Sequence, residues 1–306
     1  VAACQPASEA PAPAEQAAET AGSAAPAAAV PASEASVAFS ALIEEFEAFR
    51  IENSTNARAR RGDVEAMGQW DDVSREAQAA QTARQAEFLE RLEAIDAAAL
   101  TESEQVSYAV LDYLLKFQVE LAQFDTSRTP FMSDSGFFTG PTYAAASTRP
   151  RNIEEGEAWI QRLNGIPGVF DQNIAWMREG IETGFTQPRI IVDGVISQME
   201  SLNDPDTLRE MLIAPIDALP EALDEAERTR LRDEAMAAIN DTVLPAYDDL
   251  LSFFRGEYYE GSRDTIGISD VPGGREYYQS VTRYHTTLDT SPEEVHQRGL
   301  AEVARI

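Results

Sequence analysis

The chain has one cysteine, two histidines and, apart from Lys116, no lysine. A lone cysteine, Cys4, has no partner for an internal disulfide. One Cys and two His also leave little from which to build a metal centre within these residues. No stretch approaches the roughly 20 consecutive apolar residues that a membrane-crossing helix needs, so the expected route to a membrane is a covalent lipid. The scarcity of lysine reads as gene base composition and carries no mechanism. Basic charge is sparse altogether: 24 Lys and Arg face 53 Asp and Glu, for a formal net charge of −29. Such a field repels a phosphate backbone, which argues against nucleic acid as a partner.

What is present begins with Val1-Ala2-Ala3-Cys4, an aliphatic residue and two small ones before a cysteine. That is the pattern at which bacterial lipoprotein signals are cut, leaving Cys4 as the lipid-bearing residue. Residues 1–4 therefore read as the end of a lipoprotein signal. Residues 5–39 read as a disordered tether of Ala, Pro, Glu, Gln and Ser with no Lys or Arg. A flexible chain of that length has a reach of about 30 Å. Several acyl chains, at about 0.8 kcal/mol per buried CH₂, hold a protein firmly to a bilayer.

Residues 40–306 read as one helical domain. Ser40 is a candidate cap for a short helix carrying Leu42, Ile43, Phe46 and Phe49. Residues 50–80 are polar, Arg-rich and without clear periodicity. Phe88, Leu89, Leu92 and Ile95 recur at helical spacing over about 81–98. Thr101 and Glu104 form a capping box before an apolar run from Val106 to Phe124. Residues 125–151 interrupt the pattern as a long aromatic loop, either functional or pinned to the core by its aromatics. Helices are then predicted over about 152–164, 168–184, from Pro188 onward, 221–240 and 242–259, with a break at Asp204-Pro205. A Gly-rich loop over 260–274 precedes two last helices. The fold class is all-α, with at most a short β element near Thr265–Ile268.

The final helix opens with Ser291-Pro292-Glu293-Glu294, a cap, a first-turn proline and a capping-box glutamate. Val295, Leu300, Val303 and Ile306 share its apolar face. No Gly, Asn or Pro stop follows, so the helix is expected to continue past Ile306 and to meet further polypeptide.

Chemistry is harder to place. At helical spacing Tyr278, Val281 and His285 lie on one face, which makes His285 either a cleft-lining donor or a core histidine bonded to a carbonyl. Glu293 and His296 have the Glu-x-x-His spacing of di-iron bundles, but such sites need a second copy and further carboxylates. A His-Glu-x-x-His zinc motif and a Gly-x-Ser-x-Gly elbow are both absent from these 306 residues. No complete catalytic constellation is legible.

A longer pattern is. Asp270-Val271-Pro272-Gly273-Gly274-Arg275-Glu276-Tyr277-Tyr278 is followed by Arg283-Tyr284-His285-Thr286-Thr287 and by the helix opening at Ser291. This order of Gly-rich loop, Tyr-Tyr pair, His-Thr-Thr step and Pro-Glu-Glu opening resembles the bacterial domain of unknown function 885 family. Trp159-Ile160-Gln161-Arg162-Leu163 before an Ile-Pro pair, and Gly184 before Gln187-Pro188-Arg189, fit it too. The resemblance covers most of residues 40–306 and is most specific in the last forty or so. It implies a zincin-like, two-lobed helical peptidase of about twice this length, often a lipoprotein, of which this chain is the N-terminal half. Its zinc site would lie beyond residue 306, in the C-terminal half, so this chain would hold no metal and no catalytic residue of its own. The resemblance carries Tyr277, Tyr278, Arg283, His285 and Thr286 over as a substrate-binding wall of the cleft.

The expected function is thus the N-terminal half of a lipid-anchored, zinc-dependent peptidase-like hydrolase of the cell envelope, facing the periplasm and acting on peptides. The rival is a lipoprotein scaffold or binding module that presents an acidic helical surface and does no chemistry. A His-Glu-x-x-His motif encoded downstream would favour the first, and its absence the second.

Overall fold

The computed structural model describes residues 33–306. Cys4, the signal end at 1–4 and most of the 5–39 tether lie outside the described residues. Among those described the fold is all-α. The helices are α1 (Glu34–Glu52), α2 (Thr55–Arg60), α3 (Val64–Met67), α4 (Arg75–Glu93), α5 (Glu102–Ala122), α6 (Gly140–Ser147), α7 (Ile153–Asn164) and α8 (Ile166–Thr183). They continue with α9 (Arg189–Leu202), α10 (Pro205–Asp217), α11 (Glu225–Ala238), α12 (Leu244–Phe253), α13 (Tyr259–Gly261), α14 (Gly274–Thr286) and α15 (Pro292–Arg305). The short strand expected near Thr265–Ile268 is not formed. Its place is taken by a single bridge from Pro188 to Arg263 and a 3-10 turn at Ile268–Asp270.

The first helix corrects the tether boundary. It starts at Glu34, capped by Ser33, whose Oγ accepts from the Ser36 amide at 3.0 Å. Ser40 therefore lies inside the helix. The earlier start has a cause: Ser36 is buried and donates to Glu104 on α5 at 2.8 Å, while Phe39 and Leu42 enter a core shared with α4 and α5. That tertiary packing carries helix into a segment whose composition reads as linker.

A second, larger core is built from α6 to α12 around Trp159, Phe170, Tyr247, Phe254 and Tyr258. Burying each such side chain contributes on the order of 1.5–3 kcal/mol. Local signals set the helix ends. Asn152 caps α7 by accepting from the Glu155 amide at 2.9 Å, and Gly184 closes α8 with a left-handed φ of 72°. The Asp204-Pro205 break is a helix start, since Asp204 accepts from the Thr207 amide at 2.9 Å and Pro205 takes the first turn. Leu208, Leu212 and Ile216 then recur at four-residue spacing, all buried.

The helices expected over 221–240 and 242–259 run as one path. Two wide π-turns, Ile239–Val243 and Phe254–Tyr258, join α11, α12 and α13. The first lies just ahead of Pro245, whose missing N–H breaks the regular hydrogen-bond ladder there. The aromatic loop resolves in favour of pinning. Phe131 meets Phe254 and Tyr258 edge-on at 5.1 and 5.4 Å, and Phe138 is fully buried. Part of the predicted loop is helix: Pro141 lies in the first turn of α6, which its alanines then sustain.

Tyr247 ties this segment down, its buried hydroxyl donating to the Phe138 carbonyl at 2.7 Å. Tyr247→Phe leaves that carbonyl buried without its donor. It should lower unfolding free energy by about 1–3 kcal/mol in urea titration, and an unchanged midpoint would contradict this account.

Candidate functional site

The last layer of the fold is set by glycine and by aromatic stacking. Gly273 enters α14 at φ 72°, a conformation open to glycine at little cost. At Gly274 an added Cβ would collide with the Ile268 carbonyl. This tight loop aims α14 along α5. Tyr284 lies flat on Phe117, ring centroids 3.8 Å apart at 17°, and parallel to Tyr113 at 5.7 Å. The Tyr113 hydroxyl donates to the Tyr284 carbonyl, and Arg283 pairs with Glu120 at 3.0 Å. That ion pair is half-exposed and contributes at most about 1 kcal/mol. The stacked rings hold the helix. At its other end Tyr277 meets Phe124 at 5.6 Å and Phe185 at 6.3 Å, and burial pushes its phenol up.

The five residues carried over as substrate contacts all lie on α14, yet they do not converge on one cavity. Arg283 lines a groove of about 600 Å³ between α5 and α14, together with Glu120, Arg275, Glu276 and Gln279. Tyr277 faces the α5 and α8 side. Tyr278 is exposed and lines an adjoining hollow of about 550 Å³ with Ile268 and Glu293, sharing Arg275 and Gln279 with the groove. His285 is exposed at the end of the helix, its ring 5.1 Å from that of Tyr284. This removes the core-histidine alternative. The hydroxyl of Thr286 donates back to the Thr282 carbonyl at 2.8 Å and so serves the helix end.

The capping box at Ser291 forms as the sequence predicts. Beyond it α15 buries nothing: Val295, Leu300 and Val303 are all exposed, Val303 at 75%. His296 is exposed on the same helix. Among the described residues no three His, Cys, Asp or Glu side chains come together to hold a metal ion. These residues do not fit a zinc site.

A further cavity, of about 490 Å³, lies between α2, α6 and α7, and five arginines line it. It shares no lining residue with the two hollows at α14. Sequence reasoning missed it. The available signal was Arg58-Ala59-Arg60-Arg61 and Arg149-Pro150-Arg151, local basic runs in a chain of net charge −29.

With its fold and hollows in view, the chain is all-helical over the described residues, with clefts along its last helices. The model of a family described as bacterial protein of unknown function (DUF885) matches residues 54–306, and the chain belongs to that family. The chain is also similar to the crystal structure of a putative lipoprotein from Colwellia psychrerythraea, with a TM-score of 0.67 at 16% identity. The match covers 90% of this chain and 50% of that one, so the chain spans about half the length of that protein. At this identity the likeness is one of fold. No curated protein matches the chain in sequence.

Phe117→Ala removes the surface on which Tyr284 rests. Hydrogen exchange over 274–286 should accelerate at least tenfold while amides of α7 and α12 keep their protection. Equal loosening of both regions would mean that the stack does not hold α14 in particular.

Proposed function

We propose that the chain is the N-terminal, groove-forming half of a lipid-anchored, peptidase-like hydrolase of the cell envelope that acts on peptides. The observation that carries this reading is the clamping of α14. Aromatic stacking and an ion pair hold the helix on α5, while Tyr278 and His285 stay exposed along it. Donors fixed on a helix and facing solvent are pre-organised to meet a peptide carbonyl. Arg283 is occupied by Glu120, Tyr277 by its aromatic neighbours and Thr286 by the helix end, so these three position the other two.

The zinc ion implied by the family resemblance would be held by polypeptide outside the described residues. What this chain contributes is binding and orientation of substrate. The groove partner is the C-terminal half of the same protein, and the exposed apolar stripe of α15 is the surface offered to it. The net charge of −29 disfavours nucleic acid in this cleft. Anchoring through Cys4 is supported by the Val1-Ala2-Ala3-Cys4 pattern and by the name of the structural neighbour.

Two experiments bear on this. In the full-length product, His285→Ala should lower kcat/KM on short peptides by about a hundredfold, the cost of losing one carbonyl-directed donor, with zinc content unchanged. Unchanged turnover removes His285 from the cleft, and a full-length protein that cleaves no peptide supports the scaffold instead. Separately, Cys4→Ser should abolish incorporation of radiolabelled palmitate and release the protein from the membrane fraction. Retained label would sink the anchor.

A further inference from the structure

Most arginines of this protein are tied to a carboxylate. The cavity between α2, α6 and α7 breaks that pattern. Arg60, Arg61, Arg149 and Arg162 all line it, and none has a carboxylate partner within ion-pair distance among the described residues. The fifth arginine there, Arg151, is bidentate to Glu155, the one acid in the lining, donating to its two oxygens at 2.5 and 3.1 Å. Arg151 holds the Glu155 carboxyl below the usual carboxylate range, so the two charges cancel. The cavity is left with four guanidinium groups that make no ion pair, in a chain of net charge −29.

Arg162 decides what that means. It is only 6% exposed, and its guanidinium lies over the Trp70 ring at 4.3 Å. Of its five N–H groups one donates to a side chain, Asn56 Oδ1 at 3.0 Å, and Nε is buried with no partner among the described residues. A buried cation with an unmet donor is costly, and an anion in the cavity that Arg162 lines would offset that cost by its charge. Surface arginines are cheap to leave unpaired, but this one is buried in the wall of a cavity that three exposed arginines also line.

We infer that this cavity binds a small, multiply charged oxyanion, phosphate- or carboxylate-bearing, seated on Arg162 and gripped by Arg60, Arg61 and Arg149. Guanidinium groups match both chemistries because each presents paired acceptor oxygens to a planar fork of donors. The volume of about 490 Å³ suits a small molecule. The acidity of the rest of the chain excludes long polyanions, whose remaining charges would meet a repulsive surface. The site is independent of the α14 clefts and of any peptidase activity.

The test is calorimetric titration of the purified protein with inorganic phosphate and, separately, citrate, at fixed ionic strength in chloride. One saturable site with a dissociation constant below about 1 mM is expected for at least one of them, and the anion that binds assigns the chemistry. Arg162→Met should abolish binding, but that variant loses its stack on Trp70 and could fail to fold. The exposed double variant Arg61→Ala/Arg149→Ala therefore carries the test, with binding expected to weaken about tenfold or more. Arg298→Ala, on α15, should bind as the parent does. Saturation by neither anion below about 10 mM would overturn the proposal. So would unchanged binding in the double variant, or equal weakening by Arg298→Ala.

Discussion

An aromatic seam fixes α14 against α5, and every candidate substrate contact in this chain takes its position from it. Tyr284 is flat on Phe117, Tyr113 reaches past the ring to the helix backbone, and Tyr277 packs on Phe124 one end further along. Stacked rings in van der Waals contact fix both distance and orientation, which an exposed ion pair alone does not. The tight glycine turn at Gly273-Gly274 delivers the helix to this seam. A looser loop would leave Tyr278 and His285 on a frayed element, and the entropy of fixing them would then oppose binding.

Charge is distributed by the same economy of few basic residues. Acids outnumber bases by more than two to one, and most arginines of this protein pair with a carboxylate. Unpaired arginines nevertheless gather in the cavity under α7, and one of them is buried. The α14 groove is different: its arginines, Arg128, Arg275 and Arg283, share the lining with Glu120 and Glu276, and Glu120 pairs with Arg283. The groove thus mixes acids with arginines, whereas the cavity under α7 holds one acid, itself paired, among five arginines.

Much of the architecture was legible because local signals and packing agree. Thr101, Asn152, Gly184, Pro188 and Ser291 mark boundaries that the structure keeps: the Thr, Asn and Ser side chains accept from first-turn amides, Gly184 adopts the left-handed close of α8, and Pro188 precedes α9 in an extended conformation. The misses have physical reasons. At 34–39, burial of Ser36 and Phe39 overrides a linker-like composition. At 205–217, Pro205 costs little in the first turn of α10, and Pro215, which removes a helix hydrogen bond, is held by the burial of Leu208, Leu212, Ile213 and Ile216. The site was less legible. Sequence spacing puts Tyr277 and Tyr278 together, yet consecutive helical residues face different neighbours, and the two line different surfaces. The arginine cavity draws on segments some ninety residues apart, from Arg60 to Arg149, and no window reading joins them.

The central claim is that α14 forms a wall where peptide is held. It is tested most directly by placing a photoreactive phenylalanine analogue at position 278 of the full-length protein and irradiating with a labelled short peptide. The account predicts a crosslink at 278 that excess unlabelled peptide removes, and none from the same analogue at the exposed Val110 on α5. Equal labelling at both positions, or labelling at 278 that competitor leaves intact, would contradict it.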